Sequence, residues 1–167
     1  MSEVMLKGVE VKLKGSFLRS GDLAPDFVLV NRDLETVTLE NFKGKRKVIA
    51  TVPSLDTPVC KIEAKKINDL AIHHPDVLIL VVSKDLPFRQ KQICLDENLS
   101  NILVLSDIRT RSSFGKNYGV LIEDGPLEGL LTRSIVLLDE NDKVIYSELV
   151  SEITEEPDLE TLFKNIK

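Results

Sequence analysis

The sequence of 167 residues contains no tryptophan, only two cysteines and only two histidines, and the histidines are adjacent at His73 and His74. A structural zinc site needs four ligands, which usually come in Cys-x-x-Cys or His-x-x-x-His pairs. Neither spacing occurs here. The sequence therefore predicts no metal site.

Long apolar runs and clustered positive charge are also missing. No apolar run approaches the roughly 20 residues that a membrane-spanning helix needs. The first seven residues carry Glu3 and no uninterrupted apolar stretch, so no signal peptide is visible. The net charge is −5, and we interpret the short basic run 43–47 as a solvated loop before a strand. We expect a cytoplasmic protein with no membrane and no nucleic acid among its partners.

Hydrophobic residues make up 43% of the chain and charged residues 29%, as in an ordinary globular protein, and the length fits a single domain over 1–167. The two cysteines, Cys60 and Cys94, allow several interpretations. In a secreted protein they would indicate a structural disulfide. In a reducing compartment, such a pair indicates redox chemistry, metal binding or two inert core thiols.

Apolar patterns predict an α/β protein. Alternation over 4–13 with Gly8 near its centre indicates an N-terminal β-hairpin. Apolar runs indicate buried strands, and capping residues and apolar stripes indicate helices. The predicted strands cover 26–30, 37–39, 47–52, 77–82, 102–105, 133–138 and 143–148, and the predicted helices cover 58–73, 85–98, 112–118 and the C-terminal segment from Pro157. This order predicts a thioredoxin-like fold, in which helices flank a central mixed sheet, with an added N-terminal β-hairpin.

The start of the first helix gives Cys60 a reactive setting. Thr57 suits the N-cap and Pro58 suits the first helical position, so Cys60 falls in the first turn. Unpaired backbone N–H groups and the helix dipole stabilise an anion there, and the thiolate is the nucleophilic form of cysteine. The alternative is that Cys60 is a small buried hydrophobic residue, which is common for free cysteine.

The segment Pro53–Cys60, PSLDTPVC, matches P-x-x-x-T-x-x-C, the active-site motif of the peroxiredoxins. Further segments resemble one branch of that family, the bacterial thiol peroxidases, in order and spacing. They are SKDLPF at 83–88, YGV at 118–120, DGPL at 124–127 and LTRS at 131–134. The resemblance extends over essentially the whole chain, from the hairpin to Pro157.

The resemblance implies roles for four residues. Cys60 would attack the peroxide, and Thr57 would hydrogen-bond the peroxide and hold the thiolate. Arg133 would supply fixed positive charge to the thiolate and to the breaking O–O bond, and Pro53 would shield the sulfur from water. Taken alone, Thr57 could be only an N-cap, Pro53 only the end of a strand, and Arg133 only a surface residue.

The same resemblance implies a two-cysteine cycle without a cofactor. Cys94 matches the resolving cysteine of this branch, so Cys60 and Cys94 would form an intramolecular disulfide that thioredoxin reduces. The substrates would be hydrogen peroxide and organic hydroperoxides, and the protein would be a homodimer. Because the cysteines belong to separate predicted helices, we expect both regions to unwind before the disulfide forms.

The apolar residues Leu55, Phe88, Ile93 and Tyr118 are candidates for a pocket that binds alkyl or lipid hydroperoxides, although core packing explains them equally well. Two other functions remain open from the sequence. A general thiol–disulfide oxidoreductase usually carries Cys-x-x-Cys, which is absent. A redox relay that passes its disulfide to a partner protein would need no further motif.

Overall fold

Two β-sheets and the helices around them form the fold, and the computed structural model describes residues 2–167. In the larger sheet the strand order is β10-β9-β5-β6-β7-β3-β4, and in the smaller one it is β1-β2-β8. The strands are β1 (Ser2–Leu6), β2 (Val9–Lys14), β3 (Leu29–Val30), β4 (Thr36–Val37), β5 (Arg46–Thr51), β6 (Val77–Ser83), β7 (Leu103–Ser106), β8 (Leu121–Ile122), β9 (Ser134–Leu138) and β10 (Val144–Leu149). The helices are α1 (Pro58–Ala71), α2 (Pro87–Asp96), α3 (Phe114–Asn117) and α4 (Leu159–Ile166), and a 3₁₀ helix covers Leu39–Phe42.

The centre of the larger sheet is mixed, as predicted. Strand β5 pairs with β6 in parallel, with Val48 opposite Ile79, and with β9 antiparallel, with Thr51 opposite Ser134. Helix α1 connects β5 to β6 and α2 connects β6 to β7, which are the crossovers that parallel strands require. Both helices therefore begin at the carboxyl edge of the parallel strands, where Thr51 and Ser83 end β5 and β6.

Two hydrophobic cores cover the two faces of this sheet. Alternate residues of β5 divide between them, so Val48 and Ala50 belong to one core and Ile49 to the other. Helices α1, α2 and α4 cover the first face, whereas α3 and the segment around Phe27 cover the second. Cys60 and Cys94 both lie in the first core.

The N-terminal hairpin forms a sheet of its own. Lys7 and Gly8 connect β1 to β2 with φ angles of 51° and 81°, the left-handed backbone of a tight hairpin turn. Strand β2 pairs with β8, and the Met5 amide donates a 2.7 Å hydrogen bond to the Ser151 carbonyl. The hairpin is thereby fixed against the loops at the carboxyl edge of the larger sheet.

The fold prediction was correct in its main features and wrong at several boundaries. The predicted strand 26–30 is restricted to Leu29–Val30, because the Asp26 side chain instead accepts hydrogen bonds from the Phe27 and Leu39 amides. The C-terminal helix begins after Asp158, which caps it by accepting from the Thr161 amide, rather than at Pro157. Strand β8 and the 3₁₀ helix were not predicted, because they contain only two and four residues.

Candidate active site

Thr57 places Cys60 in the first turn of α1. The Thr57 hydroxyl accepts a hydrogen bond from the Cys60 amide at 3.3 Å and donates one to the Ser54 carbonyl at 3.1 Å. Pro58 occupies the first turn, where its missing N–H removes no helical hydrogen bond. The predicted cap is therefore present, and it fixes Cys60 at the positive end of the helix dipole.

Arg133 reaches Cys60 from the neighbouring strand. It directly precedes β9, whose first residue, Ser134, pairs with Thr51 at the end of β5. Its Nη1 lies 3.4 Å from the Cys60 Sγ, and its Nε donates to the Ile153 carbonyl at 3.0 Å. The guanidinium is almost completely buried, with 2% of Arg133 exposed. Arg133 is therefore a core cation directed at the thiol and not the surface residue considered from its sequence position alone.

Glu63 is a third member of the site that was not identified from the sequence. Its Oε1 accepts a 2.7 Å hydrogen bond from Arg133 Nη1, the nitrogen that also contacts Cys60. Its Oε2 has no hydrogen-bond partner among residues 2–167. Burial raises the pKa of Glu63 to about 7, even though Arg133 opposes this change. The spacing of three positions from Cys60, which puts both residues on one face of α1, was the available signal.

The same cluster changes the pKa of Arg133. Burial disfavours the charged guanidinium, but the nearby Cys60 and Glu63 favour it more strongly, so the pKa of Arg133 is raised. Arg133 is therefore a permanent positive charge beside the sulfur. A buried cation that is held by two partners costs little reorganisation when negative charge develops next to it.

Cys60 lies beneath a large apolar cavity. The cavity, of about 850 Å³, is lined near the thiol by Pro53, Thr57 and Arg133. Cys60 itself is completely buried, with 0% exposed, and it contacts two residues of the cavity wall, Arg133 and Thr57. The apolar remainder of the wall comes from the hairpin and from the loops around β8 and β10, and includes Leu6, Val9, Val11, Leu127, Leu130 and Ile153.

The four pocket candidates named from the sequence do not line this cavity. Leu55 and Ile93 are core residues with 0% and 1% exposed, packed in the same core as Cys60. Tyr118 stacks on Phe114 in the opposite core and donates its hydroxyl to a backbone carbonyl. Phe88 is 68% exposed on α2. Core packing, the alternative weighed above, explains three of the four.

Cys94 occupies the last turn of α2 and is nearly buried, with 6% exposed. Both cysteines are free thiols in fully formed helices. Burial raises the pKa of the Cys94 thiol, whereas the charge of Arg32 opposes this rise. The two cysteines therefore lie in opposite electrostatic settings, one at the start and one at the end of a helix.

Asp85 connects the segment before Cys60 to the helix that carries Cys94. Its carboxylate accepts hydrogen bonds from the Ser54 hydroxyl at 2.7 Å, the Leu55 amide at 2.8 Å and the Ser83 hydroxyl at 2.7 Å. Asp85 therefore does not cap α2, whose cap position is Leu86. We name the contacts of Asp85 with Ser54 and Leu55 the Asp85 clasp.

A second contact strengthens the same connection. Arg89, in the first turn of α2, donates from its Nε to both carboxylate oxygens of Asp56 at 3.0 Å. Hydrogen bonding from Arg89 lowers the pKa of Asp56. The residues before Cys60 and the start of α2 are thus held together at two points.

Neither a metal site nor a membrane span is found in the described part of the chain. Among residues 2–167, no three His, Cys, Asp or Glu side chains are grouped closely enough to bind a metal ion. No helix within the same residues has both the length and the apolar character needed to cross a membrane.

Comparison with known proteins identifies the class to which this site belongs. The redoxin family model matches residues 19–163. The thiol peroxidase of Staphylococcus aureus is 43% identical over 169 aligned residues, which cover 99% of this chain and 100% of that protein. The thiol peroxidase of Aquifex aeolicus is 45% identical and covers 98% of this chain and 96% of its own length.

Comparison with solved structures points to the same family. A peroxiredoxin-like protein from Aquifex aeolicus superimposes with a TM-score of 0.93 at 44% identity, covering 99% of this chain and 96% of that one. The thiol peroxidase from Chromobacterium violaceum gives a TM-score of 0.90 at 29% identity, covering 97% of this chain and 93% of that one. The chain therefore belongs to the redoxin family, and within it to the thiol peroxidases. It is an enzyme, a peroxidase that uses a thiol to reduce peroxides, and its thioredoxin-like fold is as predicted.

Proposed function

We propose that this enzyme reduces hydrogen peroxide and organic hydroperoxides through a cycle in which Cys60 attacks, Cys94 resolves and thioredoxin restores both thiols. The observation that carries the proposal is the contact of 3.4 Å between Arg133 Nη1 and the completely buried Cys60 Sγ. A buried sulfur that a permanent cation contacts is stabilised as the thiolate, which is the nucleophilic form.

In the first step, the Cys60 thiolate attacks the terminal oxygen of the hydroperoxide. The S–O bond forms as the O–O bond breaks, which leaves a sulfenic acid on Cys60 and an alkoxide or hydroxide that takes up a proton. Arg133 lies beside the sulfur and stabilises the charge that moves onto the leaving oxygen, and the Thr57 hydroxyl orients the peroxide. Pro53 excludes water from the sulfur.

In the second step, the Cys94 thiolate attacks the sulfenic sulfur of Cys60. The S–S bond forms, the S–O bond breaks, and the hydroxide that leaves is protonated to water. Both thiols lie in formed helices, so the first turn of α1 and the last turn of α2 unwind for their Cα atoms to come within the approximately 7 Å that a disulfide allows. A reduced thioredoxin then takes the disulfide by thiol–disulfide exchange.

Peroxide consumption coupled to thioredoxin, thioredoxin reductase and NADPH tests this cycle. The wild type is expected to turn over, and Cys60→Ser is expected to be inactive. Cys94→Ser is expected to consume one equivalent of peroxide and then stop, because its sulfenic acid has no resolving thiol. Turnover by Cys60→Ser, or undiminished thioredoxin-linked turnover by Cys94→Ser, would overturn the proposed cycle.

The apolar cavity supports organic hydroperoxides as substrates. Its wall is formed by aliphatic side chains such as Val9, Leu127 and Leu130, which would bury an alkyl group next to the sulfur. The variant Leu127→Ser is expected to lower kcat/KM for cumene hydroperoxide about tenfold relative to hydrogen peroxide. The exposed Leu23→Ser, remote from the cavity, is the matched control. Equal losses for both substrates would contradict a role of the cavity in alkyl binding.

A homodimer through the carboxyl edge of the sheet is the proposed assembly. Leu86, Phe88 and Ile108 are exposed at this edge, which also carries Cys60, and a 3.1 Å ion pair between Lys84 and Asp107 joins the two segments. Phe88→Asp is expected to shift the mass measured by light scattering to that of a monomer. Ile72, equally apolar and exposed at the opposite edge, gives the control Ile72→Asp. A wild type that is monomeric at micromolar concentration would refute the dimer.

A further inference from the structure

Arg32 is an exposed cation that the cycle above does not use. It lines the same cavity as Cys94, of about 640 Å³, on the side of the protein where β3, β4 and the end of α2 meet. This cavity is separate from the apolar one that leads to Cys60, since the two have no lining residue in common.

The turn between β3 and β4 holds Arg32 in place. The Asn31 side chain accepts hydrogen bonds from the Asp33 amide at 2.9 Å and from the Glu35 amide at 3.0 Å. The Asn31 amide donates to the Glu35 carbonyl at 3.0 Å, and Leu34 has a φ of 67°. Arg32 is therefore presented by a closed, hydrogen-bonded turn rather than by a free loop.

The position of Cys94 in its helix disfavours a thiolate, so a nearby cation has a larger effect there than at Cys60. It lies in the last turn of α2 (Pro87–Asp96), where the carbonyl end of the helix dipole disfavours an anion. Burial raises the pKa of its thiol as well, and the charge of Arg32 opposes this rise. Cys60, by contrast, has a helix N-terminus and Arg133.

The other charged groups near Cys94 do not replace Arg32. Asp96 and Glu97, at the end of α2, and Asp33 and Glu35, on the turn, are acidic and disfavour a thiolate. Lys65 of α1 is paired with Glu97 at 3.0 Å. Among residues 2–167, the ion pairs do not include Arg32, so its charge is available to the thiol.

We propose that Arg32 is a positioning residue for resolution, which stabilises the Cys94 thiolate and so accelerates its attack on the Cys60 sulfenic acid. The inference rests on the proposed two-cysteine cycle. Cys94 loses its proton to water in the cavity, its sulfur displaces hydroxide from Cys60, and the hydroxide takes a proton to give water. The sulfenic sulfur is the oxidant, so no further reactant is needed.

The first test measures how fast iodoacetamide alkylates Cys94 between pH 6 and pH 10 in the Cys60→Ser protein. Arg32→Met is expected to raise the midpoint of the alkylation profile by about one pH unit. Arg32→Lys keeps the positive charge and is expected to have a midpoint close to that of the protein with Arg32. Lys143→Met removes an equal charge next to β10, at the opposite edge of the larger sheet, and is expected to leave the midpoint unchanged. A purely structural role for Arg32 would scale the rate equally at every pH, and an unmoved midpoint in Arg32→Met would overturn the inference.

The second test follows disulfide formation after one equivalent of hydrogen peroxide in proteins that keep both cysteines. Arg32→Met is expected to slow disulfide formation about tenfold at pH 7. At high pH the rate of disulfide formation is expected to return to the wild-type value, and the preceding oxidation of Cys60 is expected to be unchanged at every pH. Normal disulfide formation in Arg32→Met at pH 7 would overturn the role of Arg32 alone. A wild type that consumes peroxide without forming the Cys60–Cys94 disulfide would instead overturn the proposed cycle.

Discussion

At the scale of single residues, the site is a buried chain of contacts from Glu63 through Arg133 to Cys60. The Arg133 Nη1 donates to the Glu63 carboxylate at 2.7 Å and also contacts the Cys60 sulfur at 3.4 Å. Because water is excluded, the charge state of each group depends on the others. Thr57 completes the site by fixing the backbone at Cys60.

The cap provided by Thr57 has separable effects on stability and on reaction rate. Thr57→Val removes the acceptor of the Cys60 amide and is expected to cost about 1 kcal/mol of unfolding free energy. It is expected to slow peroxide reduction by about 100-fold, because the hydroxyl proposed to orient the peroxide is lost. Urea unfolding and stopped-flow kinetics measure the two effects. Thr57→Ser keeps the hydroxyl and is the control; a similar slowing in that variant would contradict the prediction.

Glu63 is expected to make stability depend on pH. Its pKa is raised from 4.5 to about 7 in the folded protein, so the folded state binds the extra proton. The contribution of Glu63 to stability is therefore fullest below pH 4.5 and is lost as the pH rises to about 7. Relative to Glu63→Gln, the wild type is expected to lose about 2 kcal/mol of unfolding free energy between pH 5 and pH 8.

Urea unfolding of the reduced proteins at both pH values measures this difference. Glu160→Gln, which changes an exposed carboxylate paired with Lys164 at 3.7 Å, serves as the control; because it keeps Glu63, it is expected to lose as much stability as the wild type. If the unfolding free energies of the wild type and Glu63→Gln changed equally between pH 5 and pH 8, the prediction would be contradicted, because Glu63 would then be ionised in the folded protein throughout this range.

At the scale of elements, side-chain contacts join the segment before Cys60 to the helix that carries Cys94. The Asp85 clasp and the pair between Arg89 and Asp56 join the residues before Cys60 to the start of α2. If both helices unwind during the cycle, these contacts have to break or shift with them. The connection therefore ties the opening of one segment to the opening of the other.

The clasp is tested by Asp85→Asn, in which one carboxylate oxygen becomes a group that cannot accept hydrogen bonds. Unfolding free energy is expected to fall by about 2 kcal/mol, because a buried donor loses its partner. Amide hydrogen exchange is expected to accelerate most at residues 54–57 and in the first turn of α2. Asp69→Asn, on the exposed face of α1, is the control. Acceleration spread evenly over the chain would argue against a local clasp.

Local sequence signals predicted the elements better than the contacts between them. Thr57 and Pro58 identify the start of α1 because a cap acts within one turn. Asp85 has the same local signature, yet its side chain turns to Ser54 and Leu55, which are distant in sequence. Short-range patterns contain no information about such partners. For the same reason the apolar residues Leu55 and Ile93 could not be assigned to core or cavity before their burial was known.

At the scale of the whole molecule, a buried ion pair connects the central sheet to its periphery. Lys47 of β5 is completely buried and its Nζ contacts the Asp142 carboxylate, in the turn between β9 and β10. The Asp142 carbonyl also accepts from the Ala24 amide at 2.9 Å. Three segments that are far apart in the sequence therefore meet at one turn.

Loss of the charge on Asp142 is expected to destabilise the entire fold. Asp142→Asn leaves the buried Lys47 charge without a counterion and is expected to cost about 3 kcal/mol. Asparagine tolerates the left-handed backbone at this position, where φ is 63°, so the change isolates the charge. Urea unfolding measures the cost, with the adjacent exposed Glu140→Gln as control. The double variant Lys47→Met with Asp142→Asn is expected to recover part of the loss, and an additive loss would contradict this explanation.

The opposite helix ends occupied by Cys60 and Cys94 have a consequence for the direction of reduction. In thiol–disulfide exchange, the sulfur that departs most readily is the one whose thiolate is best stabilised. Once α1 re-forms, the positive end of its dipole and Arg133 favour Cys60 in that role, whereas the end of α2 does not favour Cys94. In the proposed Cys60–Cys94 disulfide, an incoming reductant would therefore bond to Cys94 and expel Cys60, so that the sulfur proposed to meet the next peroxide is the first to be released.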